Sequence, residues 1–489
     1  MIRDNKLWIG TGSKDVYLLP KLANRHGLIA GATGTGKTTT LKVLAEGFSE
    51  LGVPVFLADI KGDVASLAQR GEEDEAVYKR IQDLKIENFS FKDYPTEFWD
   101  VYGEYGLPVR TTISEMGPLL LSKLLGLNEV QTSVLTVIFK ISDDKGLLLL
   151  DIKDLRAMLQ FIYDNAGEYE STYGKMSTST ITAIMRSTVF LEEQGGDLFF
   201  GEPALDISDW MKVDENGKGV INILQGIKLF HSQTLYATFL LWMLSEMFER
   251  LPEVGDLEKP KLVFFFDEAH LLFRDMPKAL ISKIEQVVKL IRSKGVGVYF
   301  ITQAPSDIPD EVLNQLSNKI QHALRAYTPA EQKVIKAAAQ SYRVNEAFST
   351  EAVLTELAIG EALVSCLDEE GKPNIVERVM ILPPSSYMGL LDESIRNRII
   401  NNSLLYNKYI EQVDRESAYE LLANKNEEKT QTQLEQPQKQ ETVKPVVKEA
   451  KKTPTKKPSL LEKGVTSTIT SIGREVGRQI IRGILGGLK

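Results

Sequence analysis

The chain has 489 residues, 43% of them apolar, and a net charge of −9, which allows two to four domains with a large core and argues against broad coating of nucleic acid, although inside a ring local field outweighs net charge. Its single cysteine, Cys366, excludes an intrachain disulfide, and the polar start MIRDNKLWIG is not a signal sequence. The most apolar helical stretch, YATFLLWMLSEMF, is too short to cross a bilayer and carries Glu246, so a soluble, cytoplasmic protein without a transmembrane segment is expected.

Residues 1–25 read as a short strand and loop leading to Asn24-Arg25-His26. GLIAG then predicts a strand, ATGTGKT a loop, and the following residues a helix to about Leu51. GATGTGKT, Gly31 to Thr38, matches G-x-x-x-x-G-K-[ST] in the strand–loop–helix context that the motif requires. Glycines let backbone N–H groups turn inward around phosphate oxygens, and the helix aims its positive end at the same place. Gly31, Thr33, Gly34, Thr35, Gly36, Lys37, Thr38 and Thr39 are therefore the expected nucleotide-binding residues. Lys37 would reach the β and γ phosphates of ATP, and Thr38 would ligate Mg2+.

PVFLADI (54–60) predicts a second buried strand ending near Asp59. In ADIKGD, Asp59 reads equally as a group near metal-bound water, or coupled to the next loop, and as part of a plain turn at Lys61-Gly62-Asp63. Residues 1–61 thus form the first part of an ATPase core. Residues 62–195 have mostly helical periodicity, as in LRAMLQFIYDNA and TITAIMRSTVFLEEQ, and predict a largely helical insertion.

The core resumes over 196–390. Strands are expected at GVINILQG (219–226), KLVFFFD (261–267), GVYFITQ (297–303), KIQHALR (319–325) and GEALVS (360–365), with helices between several of them. Alternating strands and helices imply an α/β fold with a mostly parallel sheet covered on both faces. LVFFFDEAH places Asp267 at the C-terminal edge of that sheet, where ligands bind in open α/β folds. Asp267 is the expected Mg2+ ligand and Glu268 the base that activates water. His270 reads as a packing or hydrogen-bonding residue. Gln303, ending the next strand, is a candidate sensor of the γ phosphate, with a polar strand cap as the plain alternative.

D-E-A-H is also a helicase signature, but neither an S-A-T-like motif nor a late Q-x-x-G-R-x-G-R-like motif accompanies it, and only one RecA-like sheet is expected. A guanine-specific N-K-x-D is absent too, since Asn318-Lys319 continues as Ile320-Gln321.

After a C-terminal helix expected over 391–423, residues 424–458 turn into Lys, Glu, Gln, Thr and Pro and read as a disordered linker. Residues 459–489 regain three- and four-residue apolar spacing, with Arg474, Arg478 and Arg482 as a second stripe. They predict an amphipathic basic helix that docks on the body or a neighbouring subunit, or binds an acidic partner, a membrane surface or nucleic acid. Residues 424–489 hold 14 lysines and arginines against 7 glutamates, so the tail is about +7 and the remainder about −16.

IAGATGTGKT, ADIKGD, FFFDEAH, ITQAPSDIPDEVLNQLSNKIQHALR and HALRAYTPAEQKVIKAAAQSYR together resemble the HerA/FtsK group of P-loop motors, most closely the bacterial HerA-like ATPases, from about Leu18 to the end. The resemblance implies a RecA-like ATPase of the additional-strand, catalytic-glutamate type, a homo-oligomer and often a hexamer. It also implies that an arginine reaches a neighbour's ATP. Arg325 is the candidate, with Arg343 and Arg186 behind it. HerA itself has a β-barrel before the P-loop; about 25 residues precede it here, so contacts of that barrel are not carried over. The function expected is a Mg2+-dependent ATPase motor on DNA. Its rival is an ATP-controlled switch or scaffold without a nucleic-acid substrate.

Overall fold

The computed structural model describes residues 1–273 and 278–424; the expected terminal basic helix and all but the first residue of the expected linker lie outside them. Among the described residues, thirteen strands share one sheet. In chain order they are β1 Ile2–Arg3, β2 Lys6–Thr11, β3 Asp15–Leu18, β4 Gly27–Ala30, β5 Val55–Asp59, β6 Thr96–Asp100, β7 Leu107–Pro108, β8 Ile221–Gln225, β9 Leu262–Phe266, β10 Val296–Thr302, β11 Asn318–Gln321, β12 Glu361–Ser365 and β13 Glu377–Ile381. They lie in the order β1-β2-β13-β12-β11-β4-β10-β9-β5-β8-β6-β7, with β3 on β2. Every pairing from β11 to β7 is parallel, and every pairing from β11 back to β1 is antiparallel.

The central strands are apolar throughout because both their faces are covered. Successive side chains point to opposite faces. Phe264 and Phe266 stack on Phe56 at 4.3 Å and Phe300 at 5.2 Å, in the core that includes the apolar helix Gln233–Arg250. Phe265 points the other way, 5.3 Å from Tyr299 and 6.4 Å from Phe48 of the P-loop helix Lys37–Glu50. Three consecutive phenylalanines thus fix the strand from both sides.

Residues 62–195 hold the helices Glu75–Asp83, Ile113–Leu124, Glu129–Lys145, Ile152–Tyr173 and Thr178–Glu193, the last two at the LRAMLQFIYDNA and TITAIMRSTVFLEEQ stretches. They also hold β6 and β7, which extend the main sheet past β8. Five residues of TEFWD are too short a signal beside helical periodicity, yet Phe98 and Trp99 are fully buried. Residues 1–25 supply three short strands and a 3-10 turn where one strand and a loop are expected, and β2 pairs with β13 at the antiparallel end. The expected helix over 391–423 is broken into pieces, including Glu393–Asn402 and Tyr406–Tyr409. Among the described residues no helix is long and apolar enough to cross a membrane.

Candidate active site

The P-loop leaves β4 at Gly31 and enters its helix at Lys37. Two contacts explain the glycines. A Cβ on Gly31 would lie 2.5 Å from the Cβ of His322, and Gly36 has φ 112° with Gly360 close behind it. A side chain at either position is excluded by crowding or by backbone strain. The loop is held by Ala32 N–H to Ala323 O (2.9 Å), Gly360 N–H to Thr35 O (3.1 Å) and Thr35 Oγ1 to Ala32 O (2.7 Å). Thr33 and Gly34 stay exposed, while Thr38 and Thr39 are half-buried in the first helical turn. Gly36 provides no side-chain cap, so the first N–H groups of the helix face the loop, the arrangement that binds anions. Lys37 Nζ donates to Gly31 O at 2.5 Å and Ala32 O at 3.0 Å, and burial followed by the charge of Lys61 lowers its pKa.

β10 lies between β4 and β9, with Phe300 opposite both Leu28 and Phe266. The strand of the acid pair is therefore separated from the P-loop strand by one further strand. Asp267 and Glu268 follow β9 directly. Asp267 accepts the N–H of Glu268 at 2.9 Å, and its backbone carbonyl accepts Tyr236 OH at 2.9 Å. Glu268 has φ 48°, a strained value for a side chain of this length. Ala269 N–H to Ile301 O (2.9 Å) fixes the turn onto β10. One oxygen of Glu268 lies 3.2 Å from Lys61 Nζ and the other 3.4 Å from His270 Nδ1.

Burial and then the adjacent Glu268 push Asp267 up to about 7. Asp267 and Glu268 stand side by side past β9, and Thr38 follows the loop lysine, so the carboxylate and hydroxyl oxygens are of the kind that a hard divalent cation takes. The residues present thus fit Mg2+. Without a cation, the folded chain holds the Asp267 proton to about pH 7, whereas an unperturbed aspartate releases it near 3.8. The native state then binds more protons than the unfolded chain, so this group costs stability as pH rises from about 4 to 7, and no more above that. His26 and His322, both pushed down to about 4 by burial, act oppositely: they cost stability as pH falls from about 6.5 towards 4. Subtracting wild type from Asp267→Asn removes the histidines. The asparagine variant should gain on wild type in urea midpoint between pH 5 and 7.5; a difference that does not change with pH rules out the raised proton affinity.

Asp59 resolves to the loop-holding role: its fully buried carboxylate accepts from Gly62 N–H (2.7 Å), Ala65 N–H (2.8 Å) and Val64 N–H (3.4 Å). Gln303 follows β10 immediately and is exposed. β11 ends at Gln321, not at 325, so Arg325 stands in the loop beyond it. It is exposed and has no hydrogen bond or ion pair within the described residues. Arg186 lies in the helix Thr178–Glu193 and Arg343 bridges to Ile375; neither joins the P-loop or the acid pair.

Sequence reading missed His322 as a site residue. Its Nδ1 donates to Glu361 O at 2.9 Å, which leaves Nε2 to accept from Thr40 Oγ1 at 2.8 Å. The neutral ring braces the P-loop from behind. Its only sequence signal is its place in the quoted HALR run. Lys61, read as a turn residue, is the ion-pair partner of the expected base.

The family described as helicase HerA-like C-terminal matches residues 4–489. Two curated proteins of Methanocaldococcus jannaschii, both described as probable helicases, are similar to the chain. One is 24% identical over 350 residues, 70% of this chain and 60% of its own length. The other is 32% identical over 151 residues, 29% of this chain and 28% of its own. The chain therefore spans less than two thirds of either. The plasmid coupling protein TrwB, in its complex with the non-hydrolysable ATP analogue ADPNP, covers 80% of this chain and 92% of its own at 14% identity, with a TM-score of 0.53. Its complex with ADP and Mg2+ gives 0.51 over 80% and 90%. At that identity the likeness shows the fold, a RecA-like P-loop core.

Proposed function

The chain belongs to the HerA-like family of P-loop ATPases, and from that premise we propose that it is a Mg2+-dependent ATPase that assembles as a homo-oligomeric ring, a hexamer, and moves DNA through its centre in the cytoplasm. What carries this reading is the placement of Asp267 and Glu268 at the end of β9, across β10 from the P-loop strand. The complexes of TrwB with ADPNP and with ADP and Mg2+ support the choice of ligands.

In the proposed mechanism Lys37 Nζ turns from the loop carbonyls to the β and γ phosphates, beside the loop N–H groups. Thr38 and Asp267 hold the metal, and bound Mg2+ supplies neutralisation of charge on the transferred phosphoryl group. Glu268 takes a proton from the attacking water at a carboxylate oxygen. Gln303 orients that water against the γ phosphate, and Arg325 reaches a nucleotide across a subunit boundary.

Turnover should rise about tenfold on adding double-stranded DNA at low salt and lose most of that gain at several hundred millimolar salt, as counterion release requires. Light scattering on the same sample should show a larger particle with ATP than without. Unstimulated turnover with every nucleic acid tried would favour the ATP-controlled scaffold instead.

A further inference from the structure

Glu268 is not free to act as it stands. Lys61 Nζ occupies one of its oxygens at 3.2 Å and His270 Nδ1 approaches the other at 3.4 Å. The backbone cannot easily swing the carboxylate away, because φ at Glu268 is 48° and the next N–H is tied to Ile301 O. The partner is the movable member. The Lys61 side chain is 47% exposed, against 11% for that of Glu268.

Register explains the pairing. Leu57 of β5 lies opposite Phe265 of β9, so the first residues past β5 run alongside the first residues past β9. Lys61 also sits on a loop with a fixed floor. Asp59 collects the N–H groups of Gly62, Val64 and Ala65. Ser66, at the far end of that loop, accepts Lys42 Nζ at 2.9 Å from within the P-loop helix. The loop bearing Lys61 is thereby bound to the helix that opens at the phosphates. Burial works against the charge of Lys61, but Asp267 and Glu268 outweigh it and raise its pKa, so the side chain stays charged.

Lys61 and Lys37 bear on one another through their charges, and a triphosphate entering between them offers Lys61 a competing anion. We propose that Lys61 is a positioning residue that restrains Glu268 in a resting ion pair and releases it when the nucleotide's phosphates draw the lysine away. An oxygen turned towards an ammonium is poorly placed to take a proton from water, so the ion pair has to open before each turnover. The inference rests on Glu268 being the base.

Opening a half-exposed ion pair of ordinary strength is a barrier worth roughly fivefold in rate. Lys61→Gln and Lys61→Met should therefore raise kcat for ATP about fivefold without DNA, keep KM and the binding of a fluorescent ATP analogue within about twofold, and reduce the further gain on adding DNA. Lys61→Arg, which keeps the charge, should stay near wild type. Unchanged or lower kcat in both neutral variants, or a large rise in KM showing that Lys61 mainly binds phosphate, overturns the restraint. Glu268→Gln in parallel separates the two ideas. Wild-type turnover in that variant sinks the catalytic reading itself, whereas its loss together with unaltered Lys61 variants sinks only the restraint.

Discussion

Glu268→Gln is expected to lower ATP turnover by about a thousandfold and to leave nucleotide binding within a few-fold of wild type. The reason is local. Glutamine keeps the length and volume of the side chain and retains one oxygen to accept from Lys61, so the buried turn after β9 should hold its shape. It adds no backbone strain, since both residues meet the same cost at φ 48°. What it loses is the ability to take a proton from water. The phosphate loop, the Lys37 contacts and the N-terminus of the P-loop helix are untouched, so binding, which draws on those groups, should persist. Single-turnover hydrolysis beside equilibrium binding of a fluorescent analogue reads the two separately. A variant that hydrolyses at the wild-type rate would remove Glu268 from the chemistry and leave the acid pair a structural junction.

The contrast with Asp267 shows how neighbours in sequence come to differ in surroundings. Both follow the same apolar strand, but the Asp267 carboxyl is pushed up to about 7, by burial first and then by the adjacent Glu268. Glu268, itself buried, pairs with Lys61 and approaches His270. One carboxylate accepts the N–H of its neighbour, and the other meets the Lys61 ammonium.

The positions of these residues were legible because their determinants are short and local. An apolar run that ends in two acids, and a glycine-rich turn before a helix, specify position on a parallel sheet without knowledge of the remainder. The central strands were legible for the same reason, being continuous apolar runs. β6 was not, because its five residues lie among helices and declare themselves only by pairing with β8. His322 was hidden more deeply. Its bracing of the P-loop depends on a contact with Thr40 across 282 positions and on a carbonyl of β12. No local pattern distinguishes such a histidine from one that merely fills space. Lys61 was visible as a turn residue, but its pairing with Glu268 follows from the register between β5 and β9, which the sequence leaves open.

Arg325→Ala is expected to cost a further loss of about a thousandfold in turnover with little change in ATP affinity, the signature of an arginine that acts on transition-state charge. Its side chain is exposed and without an ion pair among the described residues. It stands two residues past Ala323, whose carbonyl accepts the N–H of Ala32 in the P-loop. That placement puts the Arg325 backbone near the P-loop end of the sheet and makes its own subunit's nucleotide the rival target to a neighbour's. Mixing separates the two. If Arg325 serves the adjacent subunit, an Arg325→Ala subunit keeps a working Glu268 and can borrow an arginine from a Glu268→Gln neighbour. Mixed oligomers of the two inactive variants should then recover a substantial fraction of wild-type turnover at ratios near one to one. If Arg325 serves its own site, every site in the mixture lacks either its base or its arginine, and activity stays absent at all ratios. Recovery would also require that subunits share a site, so a positive result supports the oligomeric site together with the arginine. An unchanged rate in the Arg325→Ala variant alone would exclude this residue from the chemistry in either arrangement.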